Sequence, residues 1–72
     1  LSQDAIKGTT QNVTLNTDGS IDKIEHVDSS SVVQRTDTFT YEENKITETR
    51  TLIDGKKMTL INHLDTLKVE VI

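Results

Sequence analysis

Two short triplets, His26-Val27-Asp28 and His63-Leu64-Asp65, each set an imidazole and a carboxylate two residues apart. Alternate side chains of an extended strand share a face, so each triplet offers two donors to one side, and copies arranged about a symmetry axis would close a metal site. His26, Asp28, His63 and Asp65 are therefore the candidate metal ligands. The simpler account is preferred: each histidine ends a strand beside a solvated aspartate. No metal is assigned and no cofactor is expected.

Other chemistries find less support. The run Ser29-Ser30-Ser31 supplies hydroxyls, but none sits in the strained Gly-x-Ser-x-Gly turn that exposes a nucleophile. Glu42 and Glu43 are adjacent in a turn, where carboxylates point into water rather than form an acid and base pair. Asn12-Val13-Thr14 matches the N-glycosylation triplet, which carries meaning only in a protein secreted by a eukaryote. The expectation is a protein with no catalytic residues and no enzymatic activity. Threonines in alternation would make a hydroxyl array, with Tyr41 as a sugar-stacking ring, but threonine is also simply a good strand residue.

The elements that position these residues are strands. Residues 32–63 read as three strands joined by two tight turns: Thr36, Thr38 and Thr40 alternate with Asp37, Phe39 and Tyr41; Glu42-Glu43-Asn44-Lys45 turns, with Asn44 suited to the left-handed conformation; Ile46 follows, with Thr47, Thr49 and Thr51; and Asp54-Gly55 turns again. Before them, Val13 and Leu15 alternate with Thr14 and Asn16 up to a turn at Thr17-Asp18-Gly19-Ser20. The spacing of Ile21, Ile24 and Val27 by three indicates a bulged return strand. Leu67, Val69 and Val71 mark a last strand. The fold expected is all-β, a small antiparallel meander of hairpins with strands near 12–16, 21–27, 32–41, 46–53, 56–63 and 66–72. Residues 1–10 form an arm or a short helical turn between Ser2 and Gly8. Residues 11–72 form one β domain: a first hairpin (11–28), a connector (29–31) and the meander (32–72).

Two-residue loops would pair Tyr41 with Ile46, Asp37 with Arg50, Thr38 with Thr49, and Thr51 with Met58. One face would then carry Phe39, Tyr41, Ile46, Leu52 and Ile61 with the Asp37 and Arg50 pair. The other would carry six threonines with Ile53, Met58 and Leu60. Neither face is a proper core. The 72 residues include no cysteine and two aromatics, Phe39 and Tyr41, and a 32% hydrophobic share is spread over several strands. A domain this small rarely exceeds about 3–5 kcal/mol without a staple. An obligate homo-oligomer is therefore expected, with Phe39, Tyr41, Ile46, Leu52, Ile61, Val69 and Val71 at its interface.

The net charge of −4, with basic residues interspersed among acids, argues against a nucleic-acid partner. No apolar run approaches the roughly 18 residues of a membrane-spanning helix, so no membrane partner is expected. The chain begins at Leu1 rather than Met, as a fragment or processed product would. A shift of 37 residues aligns Thr10, Thr14, Leu15, Ile24, His26 and Asp28 with Thr47, Thr51, Leu52, Ile61, His63 and Asp65, a weak internal echo in a threonine-rich chain.

Arg35-Thr36-Asp37-Thr38-Phe39-Thr40-Tyr41, Ile46-Thr47-Glu48-Thr49-Arg50-Thr51-Leu52 and Leu64-Asp65-Thr66-Leu67 resemble small tail-associated structural proteins of phages and prophages of Gram-positive bacteria. The resemblance covers about half of the chain, from Asp28 onward. It implies a non-enzymatic virion component of a tail tip, baseplate or fibre, located in the phage tail or in host cytoplasm before assembly. The partners implied are other virion proteins and further copies of the chain, a trimer being favoured because fibres commonly use threefold symmetry. The alternative is a module binding carbohydrate of the cell wall or cell surface.

Overall fold

The structure, a computed structural model, describes residues 6–72. Ser2, the expected cap of the helical turn, lies outside the described residues. Gly8 takes the left-handed conformation (φ 81°), and the Thr9 N–H and hydroxyl both donate to the Ile6 carbonyl, at 3.0 and 2.6 Å. The chain enters its first strand there, inside the segment expected to be an arm.

Six strands follow: β1 (Thr9–Leu15), β2 (Ile21–Asp28), β3 (Val33–Glu42), β4 (Lys45–Leu52), β5 (Lys57–His63) and β6 (Lys68–Val71). They form one antiparallel sheet in sequential order, the expected all-β meander. No helix among the described residues is long and apolar enough to cross a membrane. The overall dimensions of 40 × 28 × 18 Å suit one twisted layer, since six strands spaced by about 4.8 Å span about 24 Å between the axes of the outer strands.

Three of the five turns share one construction. Asn16, Asp28 and Leu52 each donate an N–H to the carbonyl four residues on (Ser20, Val32 and Lys56), and each accepts from the N–H three residues on (Gly19, Ser31 and Gly55). That last residue must be left-handed, as in a three-residue hairpin loop closed by a bulge. Gly19 (φ 89°) and Gly55 (φ 87°) take the position without strain, while Ser31 (φ 64°) takes it despite its Cβ. An aspartate braces each loop. Asp18 Oδ1 accepts from Ser20, Asp54 Oδ1 from Lys56, and Asp28 Oδ1 from both Ser30 and Val32.

The turn at Asp54-Gly55 therefore holds three residues, not two, and the register of β5 differs by one from the expected one. A two-residue hairpin turn favours positive φ at its first position, and the left-handed residue here is Gly55 alone. Arg50, not Thr51, lies opposite Met58, and Thr51 lies opposite Lys57. Met58 and Leu60 consequently join the face of Phe39, while Ile61 moves to the threonine face, opposite Thr47. The β3–β4 register is the expected one: Tyr41 with Ile46, Asp37 with Arg50 and Thr38 with Thr49 across the two-residue loop Glu43-Asn44. Asn44 is not left-handed; its carbonyl accepts the Leu64 N–H at 2.9 Å, which ties the turn to the end of β5.

The bulge expected in the second strand is present: Thr14 pairs with Lys23 and Leu15 with Ile21, which leaves Asp22 unmatched. A second irregularity leaves Gln34 unmatched in β3. Its side chain donates to Asp28 Oδ2 at 2.7 Å, so the spare residue also braces the Ser29-Ser30-Ser31 turn.

Candidate functional site

Period two on β3 and β4 puts threonine on one face and charge on the other. Thr36, Thr38 and Thr40 face Thr51, Thr49 and Thr47, while Arg35, Asp37, Glu48 and Arg50 stand opposite them with Phe39 and Tyr41. β2 adds Ile24, directly across from Asp37, and His26, across from Arg35. The centre of this face is buried, and its buried apolar side chains among the described residues are Ile24 and Phe39; His26, Asp37, Glu48 and Asn62 are buried with them. The interior of this protein is thus largely polar.

The charges are arranged in close pairs. Asp37 Oδ2 lies 3.0 Å from Arg35 and 3.2 Å from His26 Nε2, and Oδ1 lies 3.9 Å from Arg50 Nε. Arg50 Nε also donates to Glu48 Oε2 at 3.4 Å. Two carboxylates and two guanidinium groups balance, as buried charges require. His26 Nε2 is also 3.1 Å from an Arg35 nitrogen, and His26 Nδ1 has no hydrogen-bond partner. Either tautomer leaves Nδ1 unsatisfied, as a bare donor or a bare acceptor.

An aspartate beside an imidazole suggests a catalytic couple, but the geometry gives it nothing to activate. Among the described residues no hydrogen-bond partner stands at Nδ1, and both side chains are inaccessible to solvent in this chain. What the cluster can do is fix register. Its members come from three strands, and a one-residue slip of any strand would turn charged groups to the opposite face and strand their partners without counter-charge.

The proposed metal ligands are kept apart. His26 is buried against Asp37, whereas Asp28 braces the turn after β2. His63 Nε2 pairs with Glu70 Oε1 across β5 and β6 at 2.5 Å, and Asp65 Oδ1 accepts the Thr66 N–H. Among the described residues no group of three or more His, Cys, Asp or Glu is placed to hold a metal ion. The internal echo does not survive as geometry either: His26 lies on the charged face, and His63 lies on the threonine face with Ile61. The two Asp-Gly loops each hold three residues, and the unmatched Asp22 at the bulge of β2, which β5 lacks, reverses the faces of everything after it.

The residues expected at an oligomer interface also separate. Phe39 is buried within the chain, Ile46 and Ile61 are half-buried on opposite faces, and Tyr41, Leu52, Val69 and Val71 are exposed. The Tyr41 hydroxyl donates to the Ile21 carbonyl at 2.7 Å, holding the ring over β2 on the face away from the threonines. Partial desolvation of the phenol against β2 raises its pKa above the ordinary tyrosine value, with the carboxylates of Asp18 and Asp22 adding to the rise.

Sequence reading recognised the Asp37 and Arg50 pair but missed the rest of the cluster. The signal was present: Asp37, Glu48 and Arg50 lie between threonines and Arg35 precedes Thr36 in the same alternation, so two strands pairing in register must bring four charges onto one face. Comparison with protein families, curated proteins and solved structures gives no match.

Proposed function

We propose that the chain is a non-enzymatic structural module that acts by adding strands at the open edges of its sheet. The observation that carries this reading is the sheet itself. It is a single layer whose first and last strands, β1 and β6, each have one paired neighbour, and β6 with the following residue exposes Val69, Val71 and Ile72. An exposed apolar edge strand is a template for another chain, and natural proteins normally blunt such an edge unless it is used. A core with two buried apolar side chains among the described residues gives each copy a reason to associate.

The occupant proposed is a second copy of the chain. The resemblance of residues 28–72 to tail-associated proteins of phages of Gram-positive bacteria supports a place in a tail tip, baseplate or fibre, and threefold assembly is the state such parts commonly use. Sedimentation velocity over a micromolar to millimolar range tests the reading. Concentration-dependent oligomers of discrete size are expected; a folded monomer throughout overturns it.

Carbohydrate binding is the weaker reading. Tyr41 and the threonine array stand on opposite faces, so the stacking ring and the hydroxyl groups do not address one ligand.

A further inference from the structure

Among the described residues, two that are not glycine hold a left-handed φ, Ser31 at 64° and Leu67 at 58°. The conformation presses Cβ toward the following carbonyl and is rare for a bulky side chain, so each loop carries backbone strain. The two loops differ in what holds them. Ser31 stands in a turn braced by three bonds to the Asp28 carboxylate, between strands that carry buried His26 and Asp37. Leu67 is the last of four residues, Leu64 to Leu67, that join His63 of β5 to Lys68 of β6. Its side chain is 87% exposed, so no burial offsets the strain.

β6 is also the strand most easily detached. Its four residues are all exposed, and it pairs with β5 alone. It is held by the ladder from Leu60 and Val71 to His63 and Lys68, by the two backbone bonds that Thr59 exchanges with Ile72, and by the side-chain pair of His63 and Glu70. Each of these joins β6, or the residue after it, to β5. An identical β6 supplied by another copy satisfies all of them equally well.

We propose that two copies of the chain exchange β6: the loop Leu64 to Leu67 opens into a linker, and the β6 of each copy seats on the β5 of the other. This rests on the self-association proposed above and names its mode, a strand given by each copy to its partner. The ladder lost on opening is regained in the pair, while the strain at both Leu67 residues is released, the condition under which a short hinge favours exchange. From His63 to Lys68 an extended linker reaches about 17 Å, against about 5.5 Å across one rung of the ladder, so it crosses to a neighbouring copy without unravelling either strand. Four loop residues would set His63 and Lys68 on opposite faces of a straight strand, so each linker keeps one bulged residue, as β2 and β3 already do. Where the two linkers cross, the exposed Leu64 and Leu67 of each copy meet their counterparts and gain apolar contact that a single copy lacks.

Leu60 and Val71 face each other at a rung next to the hydrogen-bonded pair of Thr59 and Ile72, where opposed Cα atoms stand at disulfide distance, and the chain has no cysteine of its own. The oligomeric fraction of Leu60→Cys/Val71→Cys, isolated by size-exclusion chromatography and oxidised at low concentration, is run on a denaturing gel without reductant. A covalent dimer is expected, well above the level of chance collisions set by Val71→Cys alone. Leu67→Gly, which removes the strain of the closed loop, should weaken the dimer about tenfold per hinge, and so about a hundredfold for the pair, with the circular dichroism spectrum retained. An oligomer that yields single chains on the gel, or no more covalent dimer than Val71→Cys alone, overturns the exchange and leaves edge addition standing. Association undiminished in Leu67→Gly overturns the exchange as well, and a folded monomer throughout overturns both readings.

Discussion

Asp37 stands directly opposite Arg50 in the β3–β4 register, yet its short ion pair is with Arg35, two residues back on its own strand: 3.0 Å against 3.9 Å. The cross-strand partner instead sits between two acids, Asp37 and Glu48, and joins them. The cluster behaves as a unit because each cation neutralises a group that the others also touch.

Removing the central charge should therefore be severe. Asp37→Asn keeps the shape but leaves Arg35 and Arg50 facing a neutral amide in a buried site, a loss of about 3–5 kcal/mol. A domain of this size holds little more than that. The expected result is an unfolded or grossly destabilised chain by circular dichroism and urea denaturation; a midpoint equal to that of the parent would show that the cluster contributes nothing.

Ser31 occupies a backbone conformation that its two counterparts give to glycine. Ser31→Gly should raise stability, by about 1 kcal/mol from relief of left-handed strain less the added freedom of the unfolded chain. Thermal unfolding of this variant beside Ser31→Ala, expected to be neutral or worse, checks the argument.

Asp28 carries a pH dependence. The Val32 N–H, then the Ser30 N–H and the Gln34 side chain, lower its carboxyl below the ordinary aspartate value. A carboxylate that is a stronger acid in the folded state stabilises above its unfolded pKa, and that contribution disappears as pH falls through the folded value. Asp18, lowered by the Ser20 hydroxyl and N–H, acts in the same direction. Stability should fall on acidification below the ordinary aspartate range, and Asp28→Asn should flatten that part of the profile; an unchanged acid limb in the variant would remove Asp28 from the account.

The open edge is tested by charge. Val71→Lys places a cation on the exposed face of β6, where the parent side chain is 64% exposed and contributes little to the monomer. Sedimentation should show association weakened by about tenfold or more, with the circular dichroism spectrum retained. Undiminished association would move the contact away from β6.

Tyr41→Phe removes the hydroxyl that reaches the Ile21 carbonyl and should cost about 0.5–1.5 kcal/mol, because that carbonyl can turn to water instead. Urea denaturation measures it. A larger loss would mean that the ring, freed from β2, no longer covers the face.

Much of the fold was legible in the sequence. Alternation along Thr36 to Tyr41 and Thr47 to Leu52 set two strands in their observed register, and the threonine columns fell on one face as the period of two requires. The three-residue spacing of Ile21, Ile24 and Val27 correctly marked a bulge. The β4–β5 register was not legible, because Asp54-Gly55 suits both a two-residue turn and the last two positions of a three-residue loop, and the difference of one residue exchanges Met58 with Ile61 between faces. Nor did the sequence show that His26 would lie inside. A histidine at the end of a strand is ordinarily solvated, and its burial follows from three strands converging on Asp37, a non-local arrangement that no short motif encodes.

The number of strands has a consequence of its own. Alternating directions through an even count leave β1 and β6 running in opposite senses. A copy added at the edge in the same sense, turned only by the twist of the sheet, would thus set its first strand antiparallel to the last strand of its neighbour, and the zigzag of the chain would pass from one molecule to the next with no change of rule. Five or seven strands would force a parallel seam at every junction. Parity alone keeps every seam of such an extended sheet antiparallel.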